Sequence, residues 1–159
     1  MKRRILIGLV CSLELGGCSL LGISLPGLTA AFTATLDATN EVPANATTGA
    51  GEGGFTLNLM TRELTFDIRA SGLSGSVTAA HLHNAAAGTG GGVVVDILPF
   101  VSESGGEVTV IGTVTLSESD VTELNEGRIY VNLHTAAYPK GEIRGQLLPG
   151  QTNGHVHGA

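Results

Sequence analysis

Gly53-Gly54-Phe55-Thr56-Leu57-Asn58-Leu59, followed after Met60-Thr61-Arg62-Glu63 by Leu64-Thr65-Phe66-Asp67-Ile68-Arg69, decides the fold class. In both runs apolar and polar residues alternate one for one. Successive side chains of a strand point to opposite faces, so a period of two buries one face and wets the other. The residues between the runs reverse the chain, and the pair reads as a β-hairpin. The same texture continues outward. Phe32-Thr33-Ala34-Thr35-Leu36 opens the series, and Asn40-Glu41-Val42-Pro43 interrupts it, because Pro43 donates nothing to a ladder and restricts Val42. Downstream, Val77 to His83, Val93 to Leu98, Glu107 to Leu116, Arg128 to His134 and Glu142 to Leu147 read as strands between Gly-rich turns. Val93 to Leu98 is the most apolar of them, and residues 84–92, nearly all Ala and Gly, read as a loop. Ser117-Glu118-Ser119-Asp120 carries the capping serine and third-position acid of a helix start, which predicts one or two helical turns over Ser119 to Asn125, stopped by Gly127. About eight strands with almost no helix predict an all-β, antiparallel Greek-key sandwich or flattened barrel.

The first residues belong to a different task. Met1-Lys2-Arg3-Arg4 is basic, Ile5 to Cys11 is apolar but too short to span a bilayer comfortably, and Leu15-Gly16-Gly17-Cys18 is similar to a bacterial lipobox. Residues 1–17 are therefore expected to be an export signal of the lipoprotein type, with Cys18 lipidated; an ordinary secretory signal cleaved near Thr29-Ala30-Ala31 is the alternative. Residues 18–30 read as a tether, 31–149 as one β domain and 150–159 as a flexible tail. The expected location is periplasmic or cell-surface, with membrane contact through the lipid alone. The chain has 159 residues with 8 basic and 14 acidic side chains. Removing residues 1–17 takes Lys2, Arg3, Arg4 and Glu14 and leaves 5 basic against 13 acidic. Such a surface excludes nucleic acid and attracts cations. With only Cys11 and Cys18 present, no disulfide supports the domain.

The histidines carry the chemistry. All five fall in three places: His81-Leu82-His83, His134 and His155-Val156-His157. Residues i and i+2 of a strand share a face, so His81 and His83 aim two imidazoles the same way, and His134, ending another strand, can close the set from beside them. Parity puts Ile129, Val131 and Leu133 in the core and Tyr130, Asn132 and His134 on the outer face, under a loop. His81, His83 and His134 are thus the candidate metal ligands. Copper is the expected ion and zinc the alternative, because imidazole suits both and divalent copper binds more tightly. Tyr130 and Asn132 share the face of His134 and are placed to orient an imidazole from behind. His155 and His157 are possible added ligands, and Met60 a possible soft one. Motifs of a nucleophile elbow or phosphate loop are absent, and no carboxylate adjoins the histidines as a general base. The competing reading is a non-enzymatic interaction module for another exported protein, with structural histidines.

Asn40-Glu41-Val42-Pro43, Gly72-Leu73, Ala80-His81-Leu82-His83, Gly127-Arg128-Ile129-Tyr130-Val131-Asn132-Leu133-His134-Thr135 and Tyr138-Pro139-Lys140-Gly141-Glu142-Ile143-Arg144-Gly145-Gln146-Leu147 together resemble the chordin-type (CHRD) domain family. That family occurs in animal chordins and in bacterial exported proteins; the resemblance implies a β-sandwich and by itself no reaction. Glu41, Glu142 and Arg144 lie in its motifs, where an ion pair holding a loop is expected. The chain is also similar, more weakly, to the copper site of copper/zinc superoxide dismutase, which His81, His83 and His134 match in type, order and strand context. Between His83 and Val93 there is only Asn, Ala, Gly and Thr, so the zinc-site histidines and aspartate of that enzyme are missing, as are its disulfide cysteines. This departure speaks against dismutase activity.

Overall fold

The structure, a computed structural model, describes residues 28–150. The export signal, Cys18, His155 and His157 lie outside the described residues. Ten strands form one antiparallel sheet: β1 (Thr29–Asp37), β2 (Ala50–Asn58), β3 (Glu63–Ser71), β4 (Val77–Asn84), β5 (Gly92–Asp96), β6 (Val101–Ser104), β7 (Glu107–Thr115), β8 (Ile129–Thr135), β9 (Ile143–Gln146) and β10 (Leu148–Pro149). Their order across the sheet is β5-β4-β8-β9-β1-β2-β3-β7-β6, with β10 beside β1. The hairpin reading holds: Phe55 faces Phe66 and Leu57 faces Leu64 across β2 and β3. Along β3 burial alternates at every residue, with Leu64, Phe66, Ile68 and Ala70 inside.

One short connection forces the sheet to curl. The chain leaves β5 at one end of the sheet and starts β6 at the other, using only Ile97–Phe100. Those residues span at most about 14 Å when extended, far less than the width of a flat sheet with strands roughly 4.8 Å apart. The two ends must therefore approach each other, giving a flattened antiparallel barrel. Ile97 N donates to Ala80 O of β4 (2.8 Å), while Phe100 stacks edge-on against Phe66 of β3 (centroids 5.5 Å). The connections β3 to β4 and β7 to β8 cross the same divide, as in a Greek key. Inside lies a single core that includes Phe32, Leu36, Phe55, Phe66, Ile68, Leu82, Ile97, Val131, Leu133 and Ile143. Burying each such side chain contributes about 1.5–3 kcal/mol.

Between β7 and β8 runs α1 (Glu118–Asn125). Ser117 caps it, its Oγ accepting from Asp120 N at 3.1 Å, and Glu118 and Asp120 add negative charge at the positive end of the helix. Three expectations need correction. The apolar run Val93 to Leu98 is a strand only as far as Asp96: β5 is an edge with Val93 exposed, and after Ile97 the chain enters a 3-10 turn (Leu98–Phe100). The final run holds β9 alone, and two short strands outside the expected runs, β6 and β10, raise the strand count from about eight to ten. Finally, β1 begins at Thr29, inside the stretch expected to be tether.

Phe100 closes the barrel by lying across Gly112 of β7, where any Cβ would overlap the Phe100 ring. Gly112→Ala is expected to destabilise the domain by about 1–3 kcal/mol through displacement of Phe100. Equilibrium urea unfolding checks this, and an unchanged midpoint would contradict the closure described.

Candidate metal centre

Strand β8 is buried along its whole length. Ile129, Val131 and Leu133 face the core as their parity requires. Tyr130, Asn132 and His134 face away from it, yet they too are buried, because loops cover that side of the sheet. Register then lines up one polar face across three strands. His83, Tyr130 and Gln146 form one row across β4, β8 and β9, and His81, Asn132 and Arg144 form the next. His134, two residues on from Asn132, completes the face.

The three imidazoles converge. His81 Nδ1 lies 3.3 Å from His134 Nε2, and one nitrogen from each of His81, His83 and His134 falls within 4.8 Å of the others. Two nitrogens bound at roughly 2.0–2.1 Å to one tetrahedral ion stand about 3.3 Å apart, the spacing of the first pair. The far side of two rings is fixed by backbone. His83 Nδ1 meets Gly91 O at 3.1 Å and His134 Nδ1 meets Pro139 O at 3.2 Å. A carbonyl oxygen only accepts, so Nδ1 carries the proton in both rings and Nε2 presents its lone pair. His83 Nε2 is buried and has no hydrogen-bond partner. Burial, and then the neighbouring His81, push the His134 imidazole down to about 4. Burial likewise lowers that of His83. Both rings are therefore neutral near pH 7, the form that ligates a metal.

The covering loop, residues 85–91, contributes almost no side-chain chemistry and is held by its backbone. Gln146 Nε2 donates to Ala85 O (2.9 Å), Arg144 Nη1 donates to Thr89 O (2.9 Å), and Gly91 N donates to the Tyr130 hydroxyl (3.2 Å). Tyr130 also stacks on His83, with ring centroids 4.9 Å apart and planes within 8°. Arg144 covers Tyr130 in turn, its guanidinium carbon 3.6 Å from the ring centre. The result is a stack of imidazole, phenol and guanidinium across β4, β8 and β9, which packs the His83 ring from behind.

The expected ion pair between Glu142 and Arg144 does not form. Buried Glu142 instead accepts from Thr47 Oγ1 (2.6 Å), Ser74 N (2.7 Å), Ser74 Oγ (2.8 Å) and Thr135 Oγ1 (2.5 Å). Burial raises its carboxyl, but these hydrogen bonds outweigh it and hold the group below the ordinary carboxylate range. Glu41 is the opposite case. Burial pushes it up to about 7 against the pull of Arg144 and the Asn132 amide, and its Oε1 has no partner. Glu41 and Asn132 both press on Gly141, whose φ of 133° and lack of space for a Cβ (2.5 Å from Asn132 Nδ2, 2.7 Å from Glu41 Oε1) admit no larger residue. Met60 lies exposed on the turn between β2 and β3, strands that pair with neither β4 nor β8. Gly91 and Pro139 were invisible as site residues because each acts through a carbonyl, which every residue has. The one sequence hint is the glycine run 90–92, since a Cβ at Gly91 would overlap Asn84 O.

The His134 shift has a sign that can be tested without metal. An unfolded imidazole takes up its proton near 6.5, whereas the folded one resists to about 4. Proton uptake therefore favours the unfolded chain as pH falls through this window, costing about 3 kcal/mol at its acid end. Imidazole resonances of the metal-free protein are expected to give His134 a midpoint near 4. A midpoint at the ordinary histidine value would mean that the loops do not cover this face in solution.

The family model described as CHRD domain matches residues 32–147, a span holding all three clustered histidines and the loops that cover them. No curated protein and no solved structure gives a significant match. From the extent of the family match, the chain belongs to the CHRD-domain family.

Proposed function

We propose that this chain is an exported CHRD-domain protein that binds one copper ion through His81, His83 and His134, in storage, delivery or redox handling, with zinc as the alternative ion. The observation that carries the reading is the buried, unpartnered Nε2 of His83 beside the close pair His81 Nδ1 and His134 Nε2. A buried nitrogen lone pair without a donor is costly unless something binds it. Three converging imidazoles are a donor set for copper or zinc, and the affinity order favours divalent copper. Among the described residues no Asp or Glu joins the cluster, and a binding role fits this donor set better than hydrolysis. Tyr130 and the two backbone carbonyls would hold the rings in ligating orientation.

Export rests on the basic and apolar N-terminal segment, and lipid anchoring on Cys18. Among the described residues no helix is long and apolar enough to cross a membrane. The family itself favours a second reading, an interaction module outside the cytoplasm. In that case the backbone hydrogen bonds of His83 and His134 would be the whole purpose of those rings.

Copper titration of the full chain, followed by electron paramagnetic resonance, separates the two. It is best done with His155→Ala and His157→Ala in place, so that the tail adds no centre. One nitrogen-ligated copper(II) species at one equivalent, abolished by His81→Ala/His83→Ala, is the expected result. Weak, heterogeneous binding that survives the substitution would leave the interaction module as the better account.

A further inference from the structure

The three histidines are not equivalent. His83 and His134 are 8% and 7% exposed, and each is locked through Nδ1 to a backbone carbonyl. His81 is only half-buried, and among the described residues no hydrogen bond holds its Nε2. Its ring meets both other imidazoles edge-on, at 5.3 and 5.1 Å, so it closes the outer side of the cluster. The neighbouring strand on that side is β5, the free edge of the sheet, whose exposed Asp96 is in register with His81. His134, by contrast, stands behind the loop that supplies Pro139 O, and His83 behind the loop that supplies Gly91 O.

Resting on the metal-binding reading above, we infer that His81 is the exchangeable ligand, through which the ion passes to and from an incoming donor at the β5 edge, while His83 and His134 form the fixed base of the site. The incoming donor is an imidazole or a sulfur ligand presented by a carrier molecule. In the exchange its lone pair forms a new bond to the ion as the bond to His81 Nδ1 breaks. His81 recovers its lone pair and swings outward. No electron changes hands, so no redox partner is needed. The asymmetry has a physical basis: a ligand ring whose second nitrogen is anchored must break that bond to leave, whereas an unanchored ring on the rim needs only a side-chain rotation. Asp96, an exposed carboxylate in register with His81 on that edge strand, attracts the cation on its way in and out.

The test is the rate and strength of copper(II) binding in the full chain carrying His155→Ala and His157→Ala, with free imidazole as the incoming donor and EDTA as the final trap. Wild-type release is expected to accelerate with imidazole concentration. His81→Ala is expected to retain one ion, roughly tenfold more weakly, and to release it at least roughly tenfold faster. Its release should no longer depend on imidazole. His83→Ala and His134→Ala are expected to lose tight binding altogether. Equal loss in all three variants, with wild type still binding one ion tightly, would overturn the inference while leaving the metal site standing. Failure of wild type to take up an ion would remove the metal reading and this inference with it. Circular dichroism of each variant confirms that the fold persists, and His81→Gln, which keeps a polar side chain of similar reach, is expected to behave as His81→Ala.

Discussion

Strand β8 has water on neither side, and much of the rest of the molecule answers that constraint. Its core face is apolar and is satisfied by packing. The other face carries a phenol, an amide and an imidazole, each of which would be costly to bury alone. The neighbouring strands supply Arg144, Gln146, His83 and His81 at matching register, and the loops supply carbonyls and amides. Polar side chains reach up from the sheet to the backbone of the covering loop, so the loop needs no large side chains of its own. That arrangement explains how a segment of Ala and Gly can roof a buried site. It also explains the histidine tautomers, since the same loops provide the acceptors for both Nδ1 protons.

A second buried group ties this roof to the barrel. Glu142 collects hydrogen bonds from Thr47, Ser74 and Thr135, and so joins the segment after β1, the loop before β4 and the end of β8. A carboxylate with several strong donors stays ionised although buried, and breaking the set would leave an uncompensated charge. Pro139, the anchor of His134, lies in the same short segment that ends at Glu142. The position of one candidate ligand thus depends on a charge on the far side of its loop. Glu41 and Asn132, pressed against Gly141, limit that segment from below.

Where one face of a strand meets the core and the other meets water, the sequence was readable. The hairpin of β2 and β3, the first strand and the cap of α1 all lie in this category, because a period of two or a serine before an acidic turn is a local signal. The histidine cluster was legible for the same reason: parity alone puts His81 with His83, and His134 ends its strand on the same side. What was not legible shares a cause as well. Tyr130 and Asn132 read as outward-facing under a loop and are found so, but the extent of their burial comes from a roof that has almost no side chains to announce it. Val93 to Leu98 reads as one strand by hydrophobicity, but the strand ends at Asp96 and the rest carries the chain across the barrel, with Ile97 entering the core and Val93 left on an open edge. Glu142 and Arg144 share a parity and opposite charges, which suggests an ion pair. Only the three-dimensional arrangement of hydroxyls around one and an aromatic ring beneath the other shows why none forms.

The central claim is that His81, His83 and His134 face one point and bind one ion there. Crystals of the protein grown with copper, with diffraction recorded on both sides of the copper absorption edge, test it directly. The account predicts a single anomalous peak bounded by His81 Nδ1, His83 Nε2 and His134 Nε2, with the Gly91 and Pro139 carbonyls still bound to the opposite nitrogens. Copper located elsewhere on the chain, with these three rings turned away from one another, would contradict it.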